Sequence, residues 1–253
     1  MSAYLSQLLA SQDLGTAELN ALRSLREQIE GQLSSLEDSP RFYYGGSFGK
    51  RTMIRELYDL DIVAYWPTDT KFTIAGIYRG VGDHLKKHWN VVNSKTVAWE
   101  LPFQGGFHID VIPGRALDTA YREANLHRTD TGTTLKTSLK THIDTVRDSG
   151  RRDVIRLMKL WRVRKKVPFK KSFLLELLTI YGCKGVSSTD LGLQMIAALS
   201  YIEKNIESCS IKDPANTNNS LSDDLTADMR RNIRAAAQVA IAARTWEEVF
   251  MTA

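Results

Sequence analysis

Residues 45–52 read Gly-Gly-Ser-Phe-Gly-Lys-Arg-Thr, and residues 59–61 follow as Asp-Leu-Asp at the start of the apolar run Leu60–Trp66. The run is rich in β-branched and aromatic residues, which favour a strand. Alternate side chains of a strand point to the same face, so Asp59 and Asp61 project together while the residue between them turns inward. This stretch therefore predicts a glycine-serine turn followed by a strand that carries two acidic side chains.

A third aspartate, Asp110, lies within a second apolar run, Phe-His-Ile-Asp-Val-Ile at residues 107–112. A charge among apolar strand residues is unfavourable without a partner, and carboxylates held close together repel one another. A divalent cation relieves both problems, and hard oxygen ligands favour Mg²⁺ or Mn²⁺. The three strand-borne aspartates Asp59, Asp61 and Asp110 therefore predict a two-metal phosphoryl-transfer site.

Each part of this pattern also has an ordinary structural explanation. Gly-Gly-Ser is usually only a turn, and Asp-x-Asp is often an acidic pair at a strand end. In the functional interpretation, the backbone amides and hydroxyl at Gly46 and Ser47 hold phosphates, as clustered N–H groups do elsewhere. A Walker A loop is excluded, because that pattern needs Gly at position 44 and Ser or Thr at position 51, where the chain has Tyr44 and Arg51.

The composition is that of an ordinary globular protein. The chain has 253 residues, of which 43% are hydrophobic and 25% are charged, enough for one large domain or two small ones. No apolar run approaches the roughly 20 residues needed to cross a bilayer, and no signal peptide is recognisable at the N-terminus. Two widely separated cysteines indicate a reducing compartment. We therefore expect a cytoplasmic protein that does not associate with membranes.

Positive charge is concentrated between residues 159 and 171, in a chain whose formal net charge is +5. This basic cluster comprises Lys159, Arg162, Arg164, Lys165, Lys166, Lys170 and Lys171. Such clusters attract polyphosphates and nucleic acids, and a solvated helix end is the alternative. A nucleic-acid or protein activator that binds the basic cluster is thus a candidate partner.

Apolar periodicity divides the chain into an α+β part and a helical part. In the first part we expect an amphipathic helix at residues 19–36, a helix at 71–89, and strands at 60–66, 96–101 and 107–112. In the second we expect helices at 154–161, 173–181, 191–202, 225–243 and 245–251, with an ordered loop at 213–224. The predicted fold class is α+β, with one lobe at residues 1–150 and a helical lobe at 151–253.

These motifs resemble the signature of the DNA polymerase β-like nucleotidyltransferases, a Gly-Ser loop followed by D-x-D and a later lone Asp. Within that superfamily the sequence is similar to oligoadenylate synthetases and to the bacterial cyclic-oligonucleotide synthases (CD-NTases) related to the metazoan cyclic GMP-AMP synthase. Three later segments carry this narrower resemblance: VIRLMKLW at 154–161, KSFLLELLTIY at 171–181 and KDPANTNNS at 212–220. The matches run from about residue 43 to residue 219 and cover most of the chain.

The resemblance implies a polymerase β-like fold, with a mixed-sheet N-terminal lobe, a helical C-terminal lobe and an active site in the cleft between them. It implies that Asp59 and Asp61 are catalytic and bind two Mg²⁺ or Mn²⁺ ions. Asp110 would complete one metal site and help to activate the acceptor hydroxyl.

The resemblance also implies four phosphate-binding residues. Gly46 and Ser47 would hold the donor triphosphate, and Lys159 and Ser172 match positions that contact donor phosphates in the family. For Lys159 the structural alternative is a solvated helix residue, and for Ser172 it is a helix N-cap.

The function implied is synthesis of a cyclic or short linear oligonucleotide second messenger from ATP or GTP, with release of pyrophosphate. The implied setting is bacterial anti-phage signalling, in which the product activates an effector protein. Two alternatives remain open. One is nucleotide transfer to RNA ends such as a tRNA 3′-end, which the basic cluster favours but for which the chain has no additional binding domain. The other is a catalytically idle nucleic-acid sensor that keeps the fold.

Overall fold

A computed structural model describes residues 2–252, which form ten α-helices and nine strands. The helices are α1 Ser2–Ser11, α2 Thr16–Leu33, α3 Gly46–Lys50, α4 Ile74–Leu85, α5 Leu139–Asp148, α6 Arg152–Arg164, α7 Ser172–Gly182, α8 Leu191–Asn205, α9 Ala227–Ala242 and α10 Trp246–Phe250. The strands are β1 Arg41–Tyr44, β2 Leu60–Trp66, β3 Asn93–Ser94, β4 Trp99–Pro102, β5 His108–Ala116, β6 Ala124–His127, β7 Thr134–Thr137, β8 Lys212–Asp213 and β9 Asn216–Ser220. The predicted α+β class is confirmed.

Seven of the strands form one mixed sheet in the order β1-β2-β5-β4-β3, with β6 pairing with β5 and β7 with β6. Strands β2 and β5 are parallel, whereas β1 and β4 pair with them in antiparallel fashion. All five residues of β2 from Ile62 to Trp66 are buried. This is expected for a strand that has a paired strand on each side and both faces covered. The two strands predicted to carry aspartates are therefore adjacent in the middle of the sheet.

The sheet belongs to a compact unit of residues 14–51 and 58–143, here called the sheet unit. Helix α4 packs on β5 and β6, and its N-cap Thr73 accepts a hydrogen bond from the backbone N–H of Gly76. Tyr78 of this helix stacks on Trp99 of β4, with ring centroids 4.7 Å apart. The same Tyr78 hydroxyl donates to the Ala98 carbonyl oxygen at 2.9 Å, so the turn between β3 and β4 is fixed to the helix.

The second compact unit, here called the helical unit, contains residues up to 13, residues 52–57 and residues from 144 onward. Its core is built on α6, α7 and α8 around the fully buried Trp161. Leu5 and Leu8 of α1 and Ile54 belong to the same core. This division differs from the predicted boundary at residue 150, because these apolar side chains from the N-terminal half are buried among the later helices.

Several elements differ from the sequence prediction. Residues 213–224 were expected to form a loop, but residues 212–220 form the β8–β9 hairpin, so that expectation was wrong. Asp213 is buried and accepts a hydrogen bond from Asn219 Nδ2 at 3.2 Å. Helices α1 and α5 and strands β6 and β7 were not predicted, because each is short and lacks a long apolar period. No helix within residues 2–252 combines the length and the apolar character that a membrane span requires.

Candidate functional site

The glycine-serine turn lies directly against the first acidic strand. The backbone N–H of Gly45 donates to the carbonyl oxygen of Asp61 at 2.8 Å, and α3 begins at the next residue. Gly46 has a φ of +47°, and a Cβ atom placed on it would lie 1.5 Å from Asp61 Oδ2. Only glycine fits here, because a side chain would be strained at this φ and would overlap the carboxylate.

Ser47 follows in the first turn of α3. Its Oγ is buried and has no hydrogen-bond partner among the described residues. Buried hydroxyls are nearly always hydrogen-bonded, so an orphaned one requires a ligand, an ion or a water molecule. The orphan hydroxyl therefore fits the predicted phosphate-binding role of Ser47.

The three aspartates come together within the sheet unit. In the parallel pairing of β2 with β5, Asp61 is the register partner of Asp110, and paired residues of neighbouring strands present their side chains on the same face. Asp59 lies directly before β2, and its charge acts on both other carboxylates. The geometry brings together all three residues that the sequence analysis selected as metal ligands.

The proximity of these groups changes how they ionise. Burial, together with the charges of Asp59 and Asp110, raises the pKa of Asp61 to about 7, against the opposing effect of Lys50 and Lys95. Burial also raises the pKa of Asp110, although hydrogen bonds from Lys95 lower it. The cluster therefore holds more negative charge than its surroundings stabilise, and a divalent cation would supply the missing positive charge.

This pKa predicts a stability change with pH. Between pH 3.8, the ordinary pKa of an aspartate, and about 7, the folded protein retains a proton on Asp61 that the unfolded chain has released. The stability of the metal-free protein should therefore fall as the pH rises through that window. Saturating Mn²⁺ or Mg²⁺ binds the ionised form, so we expect it to raise the Tm by about 5 °C or more near pH 8.

Differential scanning calorimetry tests this expected rise in Tm. The protein is compared with the metal and with a chelator, at about pH 5 and at about pH 8. The metal-induced shift should be much smaller at the lower pH, and Asp61→Asn should remove most of it at both. Equal shifts at the two pH values would contradict the placement of Asp61 as an ion ligand.

Three further polar residues surround Asp110, and the sequence analysis missed them as site residues. Lys95 Nζ lies 2.7 Å and 3.0 Å from the two Asp110 oxygens and 3.3 Å from Glu100 Oε2. Glu100 is the register partner of Asp110 on β4. His108 Nε2 lies 3.9 Å from Asp59 Oδ2. Metal-ligating atoms of Glu100, His108 and Asp110 all lie within 4.8 Å of one another, so this group can hold a metal ion.

A signal for Glu100 was present in the sequence. It lies between Trp99 and Leu101 on a strand, the same apolar flanking that identified Asp110. Lys95 carried no comparable signal, because only the β3–β4 turn brings its side chain back to β5.

Lys159 and Ser172 lie in the helical unit. Lys159 is 6% exposed, and its Nζ lies 2.6 Å from Oε1 of the fully buried Glu176 and 2.9 Å from Thr52 Oγ1. Its alternative reading as a solvated helix residue was wrong. Ser172 is the first residue of α7 and accepts a hydrogen bond from Arg162 Nη1 at 2.7 Å. Lys171 occupies the N-cap, so the N-cap reading of Ser172 was also wrong, while both predicted phosphate contacts remain predictions.

Part of the basic cluster is neutralised within the helical unit, where Lys159, Arg164 and Lys171 form ion pairs. Besides the Lys159 pair, Arg164 donates to both Glu56 oxygens and Lys171 Nζ lies 2.6 Å from Asp224 Oδ2. Paired cations attract a polyanion less strongly than unpaired ones. The role of this cluster as an activator-binding surface remains a prediction.

The buried Lys159–Glu176 pair has a measurable structural role. Lys159→Met leaves the Glu176 carboxylate buried without its ammonium, so we expect a loss of about 3–5 kcal/mol in the free energy of unfolding. Urea denaturation measures this, and Lys159→Met combined with Glu176→Leu should recover most of the loss. Lys171→Met, which breaks the exposed pair with Asp224, is the control and should cost less than about 1 kcal/mol. A similarly small cost for Lys159→Met would show that the pair is not structural.

The chain is similar to known proteins in sequence and in structure. No protein-family model matches the chain. A cyclic AMP-AMP-AMP synthase from Escherichia coli (strain MS 115-1) is 27% identical over an alignment of 175 residues, which covers 62% of this chain and 54% of that protein. The match therefore spans about half the length of this curated relative.

Solved structures resemble nearly the whole chain. E. coli MS115-1 CdnC, with ATP, superposes with a TM-score of 0.75 at 23% identity, covering 99% of this chain and 98% of that one. Vibrio cholerae DncV in its GTP-bound form gives a TM-score of 0.79 at 19% identity, covering 96% and 89%. The same E. coli protein is also known in a complex with HORMA-deltaN. The resemblance inferred from the sequence is thus confirmed, and the chain has the polymerase β-like nucleotidyltransferase fold of the bacterial CD-NTases.

Proposed function

We propose that the chain is a metal-dependent nucleotidyltransferase that makes a cyclic or short linear oligonucleotide second messenger from ATP or GTP and releases pyrophosphate. One observation carries the proposal: Asp59, Asp61 and Asp110 converge beside a glycine turn whose buried serine hydroxyl has no hydrogen-bond partner among residues 2–252. Relatives of the same fold include a cyclic AMP-AMP-AMP synthase, and related structures contain ATP or GTP.

The residues present suit two divalent cations. The carboxylates offer hard oxygen donors, and burial with mutual repulsion makes them hold protons unless positive charge is supplied. Asp59 and Asp61 would bind both ions, and Asp110 would complete one of the two sites. When bound, such cations lower the pKa of an attacking hydroxyl and neutralise charge on the phosphates. We propose Mg²⁺ or Mn²⁺ as the ions.

The protein's own contribution is positioning. The close contact of Gly46 with Asp61 holds the turn against the acidic cluster, so a phosphate bound at the cluster would lie next to the backbone of the turn. The buried Ser47 hydroxyl, which has no hydrogen-bond partner within the described residues, can then donate a hydrogen bond to that phosphate. Asp110, fixed in register beside Asp61, is assigned the role of helping to orient and activate the acceptor hydroxyl. Together these residues favour a single approach of the acceptor to the donor phosphate.

The biological setting that we propose is bacterial anti-phage signalling in the cytoplasm, in which the product activates an effector protein. Because CdnC forms a complex with HORMA-deltaN, we also propose a protein regulator for this chain. The internal ion pairs of the basic cluster favour a protein regulator over a long nucleic acid.

The decisive experiment is mass spectrometry of the products formed from the four nucleoside triphosphates with Mg²⁺ or Mn²⁺. A small oligonucleotide together with pyrophosphate is expected, and resistance to phosphatase would identify the product as cyclic. Parallel reactions with tRNA and with double-stranded DNA test the alternatives. Label transferred only to tRNA would indicate an RNA-end transferase. No transfer under any condition, including with the protein regulator, would indicate an idle sensor.

A further inference from the structure

Lys95 occupies an unusual position for a surface lysine. It begins the turn between β3 and β4, where its backbone N–H donates to the Ala98 carbonyl oxygen at 2.9 Å. From there its ammonium reaches both oxygens of Asp110 at 2.7 Å and 3.0 Å, and Glu100 at 3.3 Å. The side chain is 38% exposed, so it lies at the rim of the acidic cluster and can move into solvent.

The ammonium and a metal ion compete for Asp110 in this geometry. Both oxygens of Asp110 already accept hydrogen bonds from the ammonium, whereas a magnesium or manganese ligand oxygen lies at about 2.1 Å from its ion. A cation on the same oxygen would therefore lie a few ångströms from the ammonium, which is strongly repulsive in a partly buried site. Each positive group therefore weakens the binding of the other at Asp110.

The lysine is the group able to leave, because the β3–β4 turn does not depend on its side chain. The turn is fixed by main-chain groups that the Tyr78 hydroxyl contacts, the carbonyl oxygens of Lys95 and Ala98 at 3.0 Å and 2.9 Å. When the ammonium leaves, Glu100, His108 and Asp110 remain grouped with their ligating atoms within 4.8 Å. These three side chains then offer oxygen and nitrogen donors to the cation.

Resting on the proposed function, we propose that Lys95 is an internal counter-ion that competes with a divalent cation for Asp110. In the cation-free protein it neutralises Asp110 and Glu100 and stabilises the sheet unit. When the cation binds, the ammonium is displaced, so the competition sets the cation concentration at which this part of the site fills. Lys95 therefore acts through Asp110 as a positioning residue.

The test measures Mn²⁺ binding to the full chain in the absence of nucleotide. The electron paramagnetic resonance signal of free Mn²⁺ reports how much of the ion remains unbound. Lys95→Met removes the competitor, so we expect about tenfold tighter binding of one Mn²⁺ than in the wild type. With a chelator present, the same variant should unfold at a lower temperature than the wild type, because Asp110 and Glu100 have lost their counter-ion. The two readouts should thus move in opposite directions.

Lys136→Met is the matched control, since Lys136 Nζ on β7 pairs at 2.8 Å with Glu123, the residue directly before β6. It should leave Mn²⁺ affinity unchanged. If Lys95→Met binds Mn²⁺ as the wild type does, or more weakly, the counter-ion proposal is overturned while the metal-dependent function stands. If the wild type and the variant both fail to bind Mn²⁺, the proposed two-metal site fails as well.

Discussion

Replacing Asp59 and Asp61 together by asparagine should reduce nucleotide transfer by about 10³-fold or more while the protein remains folded. The substitution removes two carboxylates that, with Asp110, make up the proposed cation ligands. Loss of the ions removes several kcal/mol of transition-state stabilisation, and each 1.36 kcal/mol is a tenfold change in rate. Product formation from ATP and GTP measures the effect.

The fold should survive because the wild-type site is itself electrostatically strained. With a chelator at about pH 8, the double variant should unfold at a temperature equal to or above that of the wild type, since like charges have been removed. Asp118→Asn with Asp130→Asn is the control, because the half-buried Asp118 and the exposed Asp130 pair with Arg122 and Arg128 elsewhere in the sheet unit. Undiminished transfer by the Asp59/Asp61 variant would exclude the proposed mechanism.

Gly46→Ala should have the second-largest effect, a loss of about 100-fold or more in transfer rate. The new methyl group would need the space that Asp61 Oδ2 occupies, 1.5 Å away, so the carboxylate or the turn must move. A displacement of about 1 Å at a catalytic group can cost 10²-fold in rate. Steady-state kinetics and Mn²⁺ binding should both show the defect, because the displaced side chain is a proposed cation ligand.

A second glycine serves as a control that distinguishes the effect of backbone strain from the effect of steric overlap with Asp61. Gly132 also has a positive φ, +68°, but a Cβ atom there would meet nothing within 4 Å. Gly132→Ala should therefore cost about 1–2 kcal/mol of stability from the left-handed conformation alone and leave catalysis unchanged. If the two alanine variants lose activity equally, the contact between the turn and Asp61 is not what requires glycine at position 46.

The sequence was sufficient to predict the parts of the fold that have a strong local signal. The run Leu60–Trp66 forms β2 with the bounds expected, because uninterrupted apolar β-formers specify a central strand. The helices α6, α7 and α8 agree with their apolar periods within a few residues at each end. Helix α5 and strands β6 and β7 were missed because they are short and polar, and tertiary pairing rather than local preference determines them.

For the site, the sequence identified the acidic residues but not their neighbours. Asp61 and Asp110 were recognisable because each is a charge among apolar strand residues. The position of Lys95 depends on how the β3–β4 turn folds back onto β5, which no local pattern encodes. The burial of Lys159 against Glu176 depends on the packing of α6 against α7, so the spacing of lysines along the chain could not reveal it.

The register of β2 against β5 has a consequence for how such chains can diverge. Asp61 and Asp110 are neighbours only because of strand pairing, so insertions in the loops that flank α4, between the two strands, can be accommodated without moving either carboxylate. A single-residue deletion inside β2 would instead turn one acidic side chain toward the opposite face of the sheet. Variation in length should therefore accumulate outside these two strands, and engineered insertions of tags or domains should be placed there.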